Sequence, residues 1–159
     1  MIRTFVINIL SLVLLPTLLS CEMIPDPIVT DLPEEEPVTM PAAIKITVSG
    51  KSLPVKIEDN VATRDLVAAL REASITFEAH DYGGFEKVGA LGRSLPASDT
   101  QITTQAGDVI LYSGNQIVLF YGSNTWSYTR LGKIQYESLD ELKSFLKAGD
   151  GNISVTLSL

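Results

Sequence analysis

Two apolar runs, separated by three turn-forming residues, constrain this chain more than any other feature. Asp108 to Tyr112 reads DVILY, Gln116 to Tyr121 reads QIVLFY, and Ser113-Gly114-Asn115 lies between them. The runs have strand length, and the linking residues favour a tight turn. Neither run has a polar face. Strands of that kind sit centrally in a sheet, covered on both sides. A fold for this chain must place the hairpin in its middle and supply apolar cover on each side of it.

The neighbouring sequence supplies candidates for that cover. From Ala43 to Ser49, Ile44, Ile46 and Val48 alternate onto one face; Gly50-Lys51 turns; Leu53, Val55 and Ile57 alternate again. Asn60 or Thr63 can cap a helix running to about Ala73, with Leu66, Val67 and Leu70 as its apolar stripe. Ile75 to Ala79 has strand character. Asp81 to Ala106 is rich in glycine and polar residues, which predicts long loops with short strands. Thr125 to Ile134 offers another strand, ending near Gly132. Ser138 and Glu141 have capping-box spacing ahead of a stripe of Leu139, Leu142, Phe145 and Leu146. Gly149 to Asn152 stops that helix, and Ile153 to Leu159 alternates as a final strand. The result is a mainly β domain over residues 43–159 with two short helices, closed or nearly closed into a small barrel that the helices cap.

The N-terminal region is of a different kind. Residues 1–20 begin with Arg3 and continue as an apolar stretch interrupted by Asn8, Ser11, Pro16 and Thr17, the length of a signal-peptide core rather than a membrane span. The stretch ends Leu18-Leu19-Ser20-Cys21, which resembles the bacterial lipobox. The resemblance implies cleavage before Cys21 and lipidation of that residue, the only cysteine. It also implies tethering to a membrane of the bacterial cell envelope, facing the periplasm or the exterior. Each buried acyl methylene contributes about 0.8 kcal/mol, so several chains on one residue anchor stably. Residues 21–42 follow as a linker holding Pro25, Pro27, Pro33, Pro37 and Pro41 together with six acids and no base. Proline and like charge both favour an extended, solvated spacer.

Charge and scarce residue types exclude several functions. The net charge of −7 falls mostly in that linker, and no basic surplus exists to neutralise a nucleic-acid backbone. A single cysteine and a single histidine rule out multi-cysteine and two-histidine metal motifs. Nothing calls for a cofactor. His80, Asp81 and Glu86 could form an acid–base or weak metal cluster, but adjacent strand residues point to opposite faces, which separates His80 from Asp81. Gly83-Gly84 lacks the lysine and hydroxyl of a phosphate loop, and no serine sits in Gly-x-Ser-x-Gly.

Aromatic residues concentrate in one stretch: Tyr112, Phe120, Tyr121, Trp126 and Tyr128, with Gln116, Asn124 and Arg130 among them. They form either the packing of a barrel or an aromatic-lined concavity for a ligand. The candidate binding residues are therefore Tyr112, Gln116, Phe120, Tyr121, Trp126, Tyr128 and Arg130. The ligand would be a peptide, a protein or a small molecule.

Residues Gly107 to Ile134, GDVILYSGNQIVLFYGSNTWSYTRLGKI, resemble the bacterial cyclophilin-like domain of uncharacterised function. Tyr82 to Lys87 (YGGFEK) and Leu91 to Pro96 (LGRSLP) fit a loop between its barrel strands. The resemblance implies a small cyclophilin-like β-barrel over residues 43–159. Prolyl-isomerase cyclophilins resemble one another through an F-H-R strand and a later F-M-x-Q-G-G-D block, and neither occurs here. Arg130 is the only arginine in the aromatic stretch. The expectation is a lipid-anchored binding domain without an assigned catalytic residue. The alternative is a divergent peptidyl-prolyl isomerase or a hydrolase-associated barrel.

Overall fold

The computed structural model describes residues 39–159. The signal segment, Cys21 and nearly all of the linker lie outside the described residues.

Alternation sets the first hairpin. Strand β1 (Ala43–Val48) buries Ile44, Ile46 and Val48, and it pairs antiparallel with β2 (Lys51–Ile57) across the Ser49-Gly50 turn. Helix α1 (Val61–Glu72) starts where Asn60 Oδ1 accepts from the Thr63 backbone N–H at 3.0 Å, satisfying one of the otherwise free donors of the first turn. Leu66, Val67 and Leu70 are its buried stripe. Next come β3 (Ile75–Tyr82), β4 (Glu86–Ala90), β5 (Thr100–Thr103), β6 (Asp108–Tyr112), β7 (Gln116–Phe120) and β8 (Thr125–Ile134). Helix α2 (Leu139–Phe145), capped by Ser138, and β9 (Ile153–Ser158) complete the chain.

Two expectations need correction. The strand expected from Ile75 to Ala79 runs on to Tyr82, where it meets β4, a short strand of the glycine-rich region that is a full member of the barrel wall. Gly83 and Gly84 take φ of +62° and +76°, the left-handed region, so the chain reverses sharply enough to set Tyr82 opposite Glu86. In α2, Leu139 is exposed; Leu142, Phe145 and Leu146 make the buried stripe.

Eight antiparallel strands close on themselves in the order β2-β1-β9-β3-β4-β7-β6-β8, and β8 returns to β2 through Val55↔Ile134 and Ile57↔Gly132. Gly132 makes this closure possible, because a Cβ there would collide with the Lys56 carbonyl oxygen and stand 3.0 Å from Ile57 Cα. Strand β5 pairs outside the barrel with the first half of β8. Side chains at alternate positions, including Ile46, Val55, Phe77, Val109, Leu111, Ile117, Leu119 and Val155, fill the interior, and the apolar stripes of both helices join the same cluster. The central hairpin is covered on its other face too, where Ile110, Val118, Phe120 and Tyr128 form a second, smaller cluster on the barrel's outside. That outer cluster is the foundation of the candidate site.

One polar network crosses the interior side of the wall. Lys87 is fully buried, and its Nζ donates to Asp81 Oδ2 at 2.7 Å and to the Gly151 carbonyl. The Tyr121 hydroxyl donates to Asp81 Oδ1 at 2.9 Å, and the Gly151 N–H to Asp81 Oδ2 at 3.0 Å. Burial alone would raise the Asp81 pKa, but the Lys87 ammonium, the glycine N–H groups and the Tyr121 hydroxyl bring it down to about 2. Burial first, and then the facing carboxylate, push Tyr121 up to about 12.

Candidate functional site

The strands that wall the barrel also carry an outward face, and on β3, β4, β6 and β7 that face is concave enough to hold a ligand. Register brings its residues together in cross-strand pairs: Tyr82↔Glu86, His80↔Val88, Val88↔Val118 and Tyr112↔Gln116. Strand β8 departs from a regular ladder. Val109 pairs with Gly132 but Ile110 with Arg130, so Leu131 is an extra residue and β8 bends. Its first half pairs with β5 and contributes Trp126 and Tyr128 to the site.

The result is a cavity of about 520 Å³ lined by His80, Tyr82, Glu86, Val88, Tyr112, Gln116, Val118, Asn124, Trp126 and Tyr128. Its size falls within the range typical of small-molecule pockets. Tyr82 and Trp126, 62% and 57% exposed, form the rim. Tyr112 meets Tyr128 edge-on at 5.9 Å between ring centroids, and Tyr128 meets Phe120 edge-on at 5.8 Å. These geometries suit the aromatic quadrupole and hold the rings in place. Asn124 is fixed as well. Its backbone N–H donates to Thr104 Oγ1 at 2.9 Å, its Oδ1 accepts from the Thr125 N–H, and its Nδ2 donates to the Tyr128 hydroxyl at 3.0 Å. Burial keeps the Tyr128 pKa raised despite that hydrogen bond, so its hydroxyl stays neutral.

Glu86 is the unusual member. It is only 5% exposed, and its Oε2 is buried with no hydrogen-bond partner among the described residues. Its backbone lies opposite Tyr82 and Phe120, and no lysine or arginine lines the cavity. Burial pushes the carboxyl up to about 7. Asp81 and Lys87 point to the other side of the sheet, so the only cation near Glu86 in sequence is directed away from it. His80 and Asp81 are separated by the same alternation. Among the described residues no group of three or more His, Cys, Asp or Glu side chains is placed to hold a metal ion.

The seven candidate residues divide. Tyr112, Gln116, Trp126 and Tyr128 line the cavity. Phe120 lies beneath it, fully buried, stacked on Phe85 at 6.2 Å. Tyr121 belongs to the opposite face and turns into the barrel towards Asp81. Arg130 is held away by Asp108 at 3.1 Å and Glu58 at 3.9 Å, while its carbonyl accepts from Asn60 Nδ2 at the start of α1. Tyr82, Glu86, Val88 and Val118 line the site without having been singled out as binding residues. Had Gly83-Gly84 been taken as a hairpin turn, alternation would have put His80, Tyr82, Glu86 and Val88 on one face.

An eight-stranded closed barrel with two helices packed onto its core, and a pocket on its outer wall, defines a cyclophilin-type architecture. The chain belongs to the cyclophilin-like family, whose profile matches residues 46–158. It is similar to the solution structure of a hypothetical protein from Archaeoglobus fulgidus, with 17% identity and a TM-score of 0.50 over 74% of this chain and 93% of that one. At that identity the likeness shows the fold. No curated protein matches the chain.

Proposed function

We propose that this protein is a binding module of the cyclophilin-like family, held at a cell-envelope membrane through lipidated Cys21, with its ligand taken up in the outer-wall cavity. The observation that carries the binding reading is the cavity itself. Four aromatic side chains surround a small set of convergent polar groups, and those groups are buttressed from behind by an apolar cluster. Fixed rings and a few oriented polar atoms are what ligand recognition requires. An isomerase built on an arginine would need a guanidinium at the cavity, and Arg130 is engaged with Asp108 and Glu58 instead. The position of Cys21 after an apolar leader, followed by the acidic proline-rich linker, supports the tether.

Trp126 is the sole tryptophan, so its emission reports on the site directly. Peptides and small ligands that enter the cavity should shift that emission saturably, and Tyr112→Ala should weaken the effect. Loss of the binding reading would follow if ligands bound with no response from Trp126 and no effect of Tyr112→Ala. The tether is tested separately by fractionation: Cys21→Ser should move the protein from membranes to the soluble fraction. A tetrapeptide prolyl-isomerisation assay should give no rate above background.

A further inference from the structure

We propose that the cavity selects a cationic alkylammonium group, paired with the Glu86 carboxylate at its base and surrounded by the rings of Tyr82, Tyr112, Trp126 and Tyr128. The inference rests on the reading of the cavity as a ligand site and adds the charge class of the ligand.

Three observations converge on it. First, Glu86 is 5% exposed and Oε2 has no partner among the described residues, although buried carboxylates are ordinarily paired or multiply hydrogen-bonded. The cavity contains no lysine or arginine that could serve as that partner. Second, the side chains around it are aromatic, and aromatic faces carry negative potential that attracts cations. An anion would be repelled by both carboxylate and rings. A neutral carbonyl could accept a hydrogen bond from the protonated Glu86 carboxyl but would gain nothing from the rings. An ammonium satisfies both elements and has N–H donors for the carboxylate. Third, the remaining polar side chains, Gln116 and Asn124, are uncharged, so nothing in the walls opposes a positive ligand except His80 when protonated.

The titratable groups facing Glu86 are His80 and Tyr82 of β3, Tyr112 of β6 and Tyr128 of β8. Tyr121, just past β7, also feels its charge from the other face. With the carboxyl pushed up to about 7 by burial, an arriving ammonium favours its ionised form, so binding at neutral pH releases a proton. A free amine and a lysine in a peptide both supply that ammonium, and the chemistry at Glu86 is the same.

The test is a charge series on one carbon skeleton: butylammonium, butyramide and butyrate, titrated against Trp126 emission. N-acetyl-lysine amide serves as the peptide-side-chain counterpart. Butylammonium should bind at least about tenfold more tightly than butyramide, and butyrate should bind more weakly than either. Calorimetry in two buffers of different ionisation enthalpy should detect the released proton. Glu86→Gln should remove both the preference and the proton release. Comparable affinity for butylammonium and butyramide, or a preference that survives Glu86→Gln, would overturn the charge assignment and leave the cavity a binding site. If no probe in the series moved Trp126, the cavity reading would fall and this inference with it. Binding of butylammonium but not of the lysine amide would assign the site to free amines; equal binding would admit peptide lysines.

Discussion

Replacing Glu86 with glutamine should stabilise the domain at alkaline pH and not at acid pH. In the folded state burial lifts the carboxyl from 4.5 to about 7. The folded protein therefore binds the Glu86 proton more tightly than the unfolded chain does. This group's contribution to stability is full below about pH 4.5, declines as pH rises, and has been lost above about 7. At about 1.4 kcal/mol per pH unit the shift corresponds to at most about 3.5 kcal/mol. Water reaching the cavity reduces that to roughly 2–3 kcal/mol, and a buried glutamine amide without a partner gives back about 1 kcal/mol. The variant should gain about 1–2 kcal/mol at pH 8 and gain nothing, or lose slightly, at pH 4. Urea unfolding of both proteins at several pH values checks this, with a midpoint shift on the order of 1 M at pH 8. Other titrating groups are common to both proteins and largely cancel in the difference. A stability difference that stayed constant from pH 4 to pH 8 would refute the reasoning, because it would mean that Glu86 is not an uncompensated buried acid.

Further tests address the scaffold. Lys87→Met strands Asp81 without its cation and should cost about 3 kcal/mol in denaturant unfolding, with part recovered when Asp81→Asn is added. Asp81, held down near 2 against an ordinary 3.8, contributes stability that is fully present above about pH 4 and lost as pH falls towards 2. An acid titration of Asp81→Asn, followed by circular dichroism, should lack that loss. Gly132→Ala forces β8 away from Lys56 and should lower stability by about 1–3 kcal/mol in a thermal melt.

The barrel was readable wherever apolar pattern alone decides position. The hairpin of β6 and β7 has no polar face and could only be central; Asn60 and Ser138 have side chains that cap helices locally, and both do so. The cavity was less readable because its key residues depend on pairing register. Glu86 and Lys87 are adjacent charges beside a glycine pair, a pattern that suggests solvent. Only the hairpin shows that one faces the outer cavity while the other points into the barrel and meets Asp81, its cross-strand partner six positions earlier. Tyr121 and Phe120 are adjacent in the sequence, but a strand sends neighbours to opposite sides. Arg130 sits at the β8 bulge beside Leu131, and an irregularity of that kind leaves no mark in periodicity. Its partner Asp108 is the single acid at the start of an otherwise apolar strand, 22 positions away.

The two sides of the central strands answer to separate demands. In β6 and β7, Val109, Leu111, Ile117 and Leu119 hold the interior together, while Tyr112, Gln116 and Val118 line the pocket. Neighbouring positions along each strand thus meet different physical constraints. A lineage could exchange one outward residue at a time and acquire a new taste in ligands, with the inherited scaffold left undisturbed beneath.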